Sequence, residues 1–465
     1  MKRPNILWYC TDQQRFDTIG ALGNPHVKTP VLDQLVKQGV AFTNAYCQSP
    51  ICTPSRASFM TGLYPSRART TRNGNATFPS DIPLISKLIA DAGYRCGLVG
   101  KFHLVSAGKR PEPRLNDGFE YWQHSHAPRD DWPEGTHAYA DWVREQGGDL
   151  NEMTASGASV SAEFHQTKWA YDCAIDFISQ EHDRPWMLNL NVYDPHPPFI
   201  PPAEYADKFQ PDDMPGPNFR DSDLEHQKKL EAVDFQVKGK TPEECDAKSV
   251  QAKYYAMIAQ IDDQFSRILE VLDNTGQREN TLVIFTSDHG EMLGDHGLMY
   301  KGCRFYEGLV KVPLIFSMPE SLQNNQKCNG LVELVDLSAT LLDVAGVEIP
   351  AHHQGRSLWP ILVGNESGDT IRSSVRSEYF DALDTSFTGG SGSFATMYRD
   401  ERYKLVIYHD HNLGELYDLE EDPWEYNDLW ENSDYSDIKN RLIYESFNAH
   451  VNLTTNVGSE RIAPM

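Results

Sequence analysis

Short, strand-like and mostly apolar runs alternate along most of the chain with segments whose apolar positions recur every three to four residues. Asn5–Cys10 and Val40–Tyr46 are runs of the first kind, and so are Arg95–Val99, Trp186–Tyr193 and Thr281–Thr286. Each has the length and the apolar, β-branched and aromatic content of a strand buried on both faces. Between them, Val31–Lys37 reads as a helix closed by Gly39. A second helix opens at Asp81, with Pro83 just inside it, places Leu84, Ile85, Leu88 and Ile89 on one face, and closes at Gly93. Gln251–Asp273 reads as a long amphipathic helix. This alternation predicts an α/β fold: a large, mostly parallel sheet covered by helices on both faces.

From about Ser373 the texture changes. Ser374–Phe380, Phe394–Arg399 and Tyr403–Tyr408 read as short strands joined by turns, with little helical period before Ile438. A small antiparallel sheet follows from that pattern. The expected division is a main domain over residues 1–370 and a smaller α+β subdomain over 371–465. Two stretches, from Arg110 to Leu150 and from Tyr205 to Val250, are polar and without clear period, as segments lining substrate clefts often are.

Composition narrows the function classes. The 465 residues carry 42 Lys and Arg against 67 Asp and Glu, a formal charge of −25. That balance argues against a general binder of nucleic acid or anionic membranes, which needs a basic face. It leaves room for a small anion held in a local basic pocket. No run of 18 apolar residues is present, so no membrane span is expected. Eight cysteines are scattered without a CxxC pair or zinc-like spacing, which predicts mostly free, buried thiols. The chain enters a strand-like run directly after Met1, Lys2 and Arg3 without an apolar leader. That points to a soluble cytoplasmic protein, or to a periplasmic or secreted one if a leader has been removed.

In open α/β sheets, chemistry gathers at the carboxyl ends of strands. The first strand delivers Asp12-Gln13 and a later one Asp288-His289. Two carboxylates, an amide oxygen and an imidazole can meet there around one cation. Cys52 precedes a helix-like segment, with Arg56 one turn on, and both features favour negative charge at that spot. Lys101-x-His103 ends another strand with both side chains on one face. His196 lies in a proline-rich turn after Trp186–Tyr193, and Lys301 in a glycine-punctuated loop.

Together these pieces resemble the type I sulfatase family, within the alkaline-phosphatase-like superfamily. Cys52-Thr53-Pro54-Ser55-Arg56 matches its C-x-P-S-R signature and is extended by Thr61-Gly62-Leu63-Tyr64-Pro65. Pro4-Asn5-Ile6-Leu7, Gly100-Lys101-x-His103, His196-Pro197-Pro198-Phe199, Asp288-His289-Gly290-Glu291 and Glu415-Leu416-Tyr417-Asp418-Leu419 follow in the family's order. The resemblance runs from about residue 4 to 430 and implies a sulfuric ester hydrolase. It implies that a maturation enzyme oxidises Cys52 to formylglycine, which attacks sulfur as its hydrated aldehyde. Asp12, Gln13, Asp288 and His289 would bind one divalent metal. By the same analogy His103 would be the base that expels sulfate. His196 and Lys301 would stabilise or protonate the leaving oxygen, while Arg56 and Lys101 hold the formylglycine.

The metal set departs from the commonest family pattern, which is Asp-Asp followed by Asp-Asn. Two formal negative charges remain instead of three. Ca²⁺ is the first expectation, and the imidazole opens the site to Mn²⁺ or another softer ion. The same Asp-Gln and Asp-His pairs resemble phosphonate monoester and phosphodiester hydrolases of the superfamily. Those tend to replace Lys-x-His by hydroxyl-bearing residues, whereas Lys101-x-His103 is intact here. A non-catalytic sulfoglycan-binding protein would be expected to have lost one of these groups. For the substrate, Tyr121, Trp122, His124, His126, Arg129 and Trp132 in the first polar insertion, with Arg72 and Asn73, mix sugar-stacking rings with anion donors. They tilt the expectation towards a sulfated carbohydrate, either algal polysaccharide or glycosaminoglycan fragments.

Overall fold

A computed structural model describes residues 3–108, 110–155, 160–383 and 392–454. Eight strands form the main sheet: β1 (Asn5–Thr11), β2 (Val40–Tyr46), β3 (Arg95–Gly100), β4 (Phe119–His124), β5 (Trp186–Asn191), β6 (Thr281–Ser287), β7 (Lys311–Ser317) and β8 (Gln326–Glu333). Their spatial order is β4-β3-β5-β1-β6-β7-β2-β8. All neighbours pair parallel except β7, which runs antiparallel to β6 and to β2.

The apolar runs arise because both faces of this sheet are covered. Along β1, Leu7 and Tyr9 enter one apolar layer, and Ile6, Trp8 and Cys10 the other. Each fully buried aliphatic side chain of this kind contributes about 1.5–3 kcal/mol. The first layer is closed by helix α1 (Pro30–Lys37) with helices Gln166–Ile178 and Ala247–Asn274, through Leu35, Trp169 and Phe265 among others. The second is closed by helix α2 (Cys52–Thr61) with helices Ile85–Asp91 and Asp336–Ala345, through Phe59, Ile89 and Leu341. Beyond it, strands β9 (Val375–Phe380), β10 (Phe394–Arg399), β11 (Tyr403–His409) and β12 (Leu413–Asp418) form an antiparallel sheet in the order β12-β11-β10-β9. Helix Ser436–Thr454 sets Leu442 against Leu405 and Leu416 of that sheet.

Four elements differ from the sequence expectation. The helix expected from Asp81 begins at Ile85, and Asp81 instead forms an exposed ion pair with Arg69. The first polar insertion contains β4 and helix Ala138–Glu145, and the second contains helix Asp221–Lys229. Strand β4 lies at the sheet edge with mostly half-buried residues, so it lacks the solid apolar run of its neighbours. Among the described residues, no helix is long and apolar enough to cross a membrane. All eight cysteines are free, and six of them are buried.

Candidate active site

Strand register brings the candidate groups together. Thr11 of β1 lies opposite Ser287 of β6, so the next residues, Asp12 and Asp288, leave adjacent strand ends side by side. Gly100 of β3 lies opposite Asn191 of β5, which brings Lys101 to the same rim. Gly100 has φ 93°, and a side chain there would overlap the Asn191 carbonyl oxygen, so glycine is required just before Lys101. Strand β2 feeds the loop that opens α2, and Cys52 is the first residue of that helix.

The Cys52 sulfur is buried at the centre of the cluster. His289 Nε2 lies 3.1 Å away, Lys301 Nζ 2.9 Å and Asp12 Oδ1 3.8 Å. The rings of His103 and His196 also reach it. Burial raises a thiol's pKa, but Lys101, Lys301 and His289 outweigh it and hold Cys52 well below its ordinary value. Burial together with Lys101 depresses His103, and burial together with Lys301 depresses His196, so both imidazoles tend towards the neutral form.

Around this centre the carboxylates are tied down by fixed cations. Arg56 Nε donates to Asp288 Oδ2 at 2.8 Å, its Nη1 to the Lys101 carbonyl at 3.0 Å, and its Nη2 lies 3.5 Å from Asp12 Oδ2. Lys101 Nζ forms an ion pair with the same Asp12 oxygen. Asp288 Oδ1 accepts the main-chain N–H groups of Gln13 and His289 at 3.0 and 2.9 Å. Asp12 Oδ1 is left facing the sulfur.

The donor set suits a divalent cation. An Asp12 oxygen, an Asp288 oxygen, a His289 nitrogen and the Cys52 sulfur lie within 4.8 Å of one another. His289 Nδ1 lies 2.8 Å from the Gly290 carbonyl, and donation there leaves Nε2 as the free electron pair turned to the cluster. Gln13 sends its amide nitrogen to Glu291, which directs its Oε1 inwards. The Lys301 ammonium is itself a cation among these donors, 2.7 Å from Gln13 Oε1 and 3.4 Å from His289 Nε2.

All ten residues expected at the site therefore meet in one cluster. Sequence reasoning named Glu291 within a family motif but gave it no role; it is fully buried and also accepts the N–H groups of Leu293 and Tyr300. Glu112, which binds the main chain after Lys101, was passed over. Several expected sugar contacts have other partners. Asn73 Oδ1 accepts the Thr53 N–H at 2.9 Å, on the first turn of α2, and Arg72 pairs with Asp381. Tyr121 packs on Phe177, Trp122 stacks on His124, and Trp132 is buried against His124 and His137. His126 lies edge-on to His103, with ring centroids 4.6 Å apart.

Known proteins resemble this chain in sequence and fold. The family profile described as sulfatase matches residues 4–347, and that of the C-terminal part of N-sulphoglucosamine sulphohydrolase matches residues 294–450. An arylsulfatase of Clostridium perfringens is 30% identical, over 95% of this chain and 92% of its own. An N-acetylglucosamine-6-O-sulfatase of Bacteroides thetaiotaomicron is 25% identical, over 95% of this chain and 85% of its own. The crystal structure of the phosphonate monoester hydrolase of Agrobacterium radiobacter superposes with a TM-score of 0.82 at 26% identity, covering 99% of this chain and 100% of that one. The fold is thus the alkaline-phosphatase-like one, and the chain belongs to the sulfatase family of sulfuric ester hydrolases.

Proposed function

We propose that this sulfatase hydrolyses sulfate esters of a carbohydrate, with Cys52 matured to formylglycine by a maturation enzyme as its nucleophile. The observation that carries the reading is the placement of Cys52. It is buried at the start of α2, inside the signature Cys52-Thr53-Pro54-Ser55-Arg56, among metal donors on one side and two imidazoles on the other. The sulfur stands where the oxygens of the hydrated aldehyde would stand.

Asp12, Gln13, Asp288 and His289 would hold the divalent metal, Ca²⁺ first and Mn²⁺ next. When bound, that ion supplies Lewis-acid polarisation of the sulfate oxygens. The chain's own groups do the rest. Lys101 and Lys301 neutralise a bound sulfate in a site where Asp12 and Asp288 would otherwise repel it. Arg56 fixes both carboxylates and, through the Lys101 carbonyl, the turn that follows β3. His103, neutral and against the nucleophile, takes a proton from it. His196, whose Nδ1 faces the Pro197 carbonyl at 2.6 Å, presents its other nitrogen to the leaving oxygen together with Lys301. The catalytic part is assigned to residues 1–370 and the smaller subdomain to 371–465.

The carbohydrate assignment is supported by the N-acetylglucosamine-6-O-sulfatase relative. A second reading, phosphonate monoester or phosphodiester hydrolysis as a side activity, is favoured by Gln13 and His289 in the donor set and by the Agrobacterium likeness. The test is sulfate release from a panel of sulfated mono- and oligosaccharides, beside 4-nitrophenyl sulfate and a phenyl phosphonate ester. Turnover of a sulfated sugar above the other two supports the proposal. Preference for the phosphonate would replace it with the second reading. Binding without turnover by the matured protein would make it a sulfoglycan-binding protein.

A further inference from the structure

His103 sits in the left-handed region, with φ 55°. A residue with a side chain rarely adopts that conformation, because its Cβ is crowded against the following carbonyl oxygen. A functional imidazole is ordinarily held in place by a group on its second nitrogen. Here His103 Nδ1 is buried, and no partner for it is found among the described residues. The ring must then be oriented through its own main chain and by packing.

That main chain is clamped by one carboxylate. The N–H groups of His103, Leu104 and Val105 converge on Glu112, at 2.8 Å to Oε2 and at 2.6 and 3.2 Å to Oε1. Three successive N–H groups turned inward form an anion-holding nest, and the left-handed residue at its start is part of what turns them. The Glu112 side chain is only 1% exposed, and His124 Nε2 lies 3.2 Å from its Oε2. His124 is in turn stacked between Trp122 and Trp132, at centroid distances of 5.2 and 5.6 Å. His126 closes the free side of the His103 ring edge-on.

We infer that Glu112 is the positioning residue for His103. Its charge, trapped against the nest and braced by His124, compensates the strained turn and thereby aims the imidazole at the nucleophile. The inference rests on the proposed role of His103 as the base. Glu112 touches neither the nucleophile nor the metal donors in the contacts described, so it reaches the nucleophile through the turn that carries His103.

The test is a double-mutant cycle on the full chain with 4-nitrophenyl sulfate as the probe. Glu112→Gln keeps the shape but removes the charge and sets an amide N–H against the nest. It should lower kcat about 10²-fold, the scale of a reacting group misplaced by about 1 Å, with KM falling alongside it, because expulsion of sulfate follows the attack that forms the adduct. Combined with His103→Ala, it should lower kcat no further than His103→Ala alone. Two multiplicative losses, or an unchanged kcat in Glu112→Gln, would overturn the inference. If Glu112→Gln fails to fold, Glu112→Asp enters the same cycle. It keeps the charge but draws it back by one methylene, and the same non-additivity is expected. Wild-type turnover by His103→Ala alone would remove the base assignment itself. That outcome is distinct from an impaired His103→Ala beside an unimpaired Glu112→Gln, which overturns only the clamp.

Discussion

Replacing Arg56 by Met removes the cation that joins the two strand ends, leaving a side chain of similar length. In the folded protein Asp288 Oδ2 loses its Nε donor at 2.8 Å, the Lys101 carbonyl its donor at 3.0 Å, and Asp12 a distant partner at 3.5 Å. Asp12 keeps Lys101, and Asp288 keeps two main-chain N–H groups on its other oxygen. A hydrogen bond to a charged group is worth about 1.5–3 kcal/mol and a neutral acceptor about 1 kcal/mol. The sum falls in the ~3–5 kcal/mol range for breaking a buried ion pair. For 465 residues, the entropy of unfolding near the midpoint is about 1 kcal/mol per kelvin. A loss of that size lowers Tm by about 3–5 °C. Differential scanning calorimetry in chelator should show this drop. In Ca²⁺ the drop should shrink, because the ion compensates the same carboxylates. A Tm within about 1 °C of wild type in chelator would refute the claim that Arg56 neutralises the strand ends.

Other outcomes follow from the same geometry. Chelation should abolish sulfate release, and titration calorimetry should show the ion that restores it binding at one site, with His289→Asn weakening Mn²⁺ binding more than Ca²⁺ binding. Gly100→Ala should destabilise the protein and abolish activity together, since the new Cβ meets the Asn191 carbonyl in the strand pair that places Lys101; a thermal melt and a rate measurement decide it. His226 lies 2.7 Å from Glu415. Burial lowers the pKa of His226, but Glu415 outweighs it and raises the group above 6.5, while Glu415 is held at about 2. A raised folded-state pKa gives stability that is complete below about pH 6.5 and is lost as pH rises through the folded value. His226→Gln should therefore lower Tm more at pH 6 than at pH 9, as read by melts across that range; an equal loss at both would refute the pairing.

Much of this molecule is legible in its residues, for reasons that differ by element. Strands β1, β3, β5 and β6 read clearly because helices cover both faces and leave their interiors mostly apolar, with Asn189 of β5 buried against Asn191. Strand β4 is hidden because an edge strand needs only partial burial, so Phe-Glu-Tyr-Trp-Gln-His carries no solid apolar run. The ten expected site residues were visible because each follows a strand end or lies within a signature, and the sheet register then unites them. Glu112 was not, because its work is to accept main-chain N–H groups, a role that leaves no periodic trace in sequence, and Glu291 was visible only as a motif residue without a role. Asn73 and Arg72 were expected on the sugar side, yet their partners are Thr53 and Asp381. Trp122 and Trp132 look like sugar platforms in sequence, but they stack on the two sides of His124, which braces Glu112.

The central claim is that Cys52, held among metal donors and neutral imidazoles, becomes the aldehyde that cleaves a sulfate ester. The most direct measurement is the mass of the peptide containing Cys52 after co-expression with a maturation enzyme, followed by labelling with an aldehyde-selective hydrazide. The account predicts a peptide in which SH₂ has been exchanged for O, which takes the label, and sulfate release that scales with the labelled fraction. An unlabelled Cys52 thiol in a preparation that nevertheless releases sulfate at full rate would contradict it.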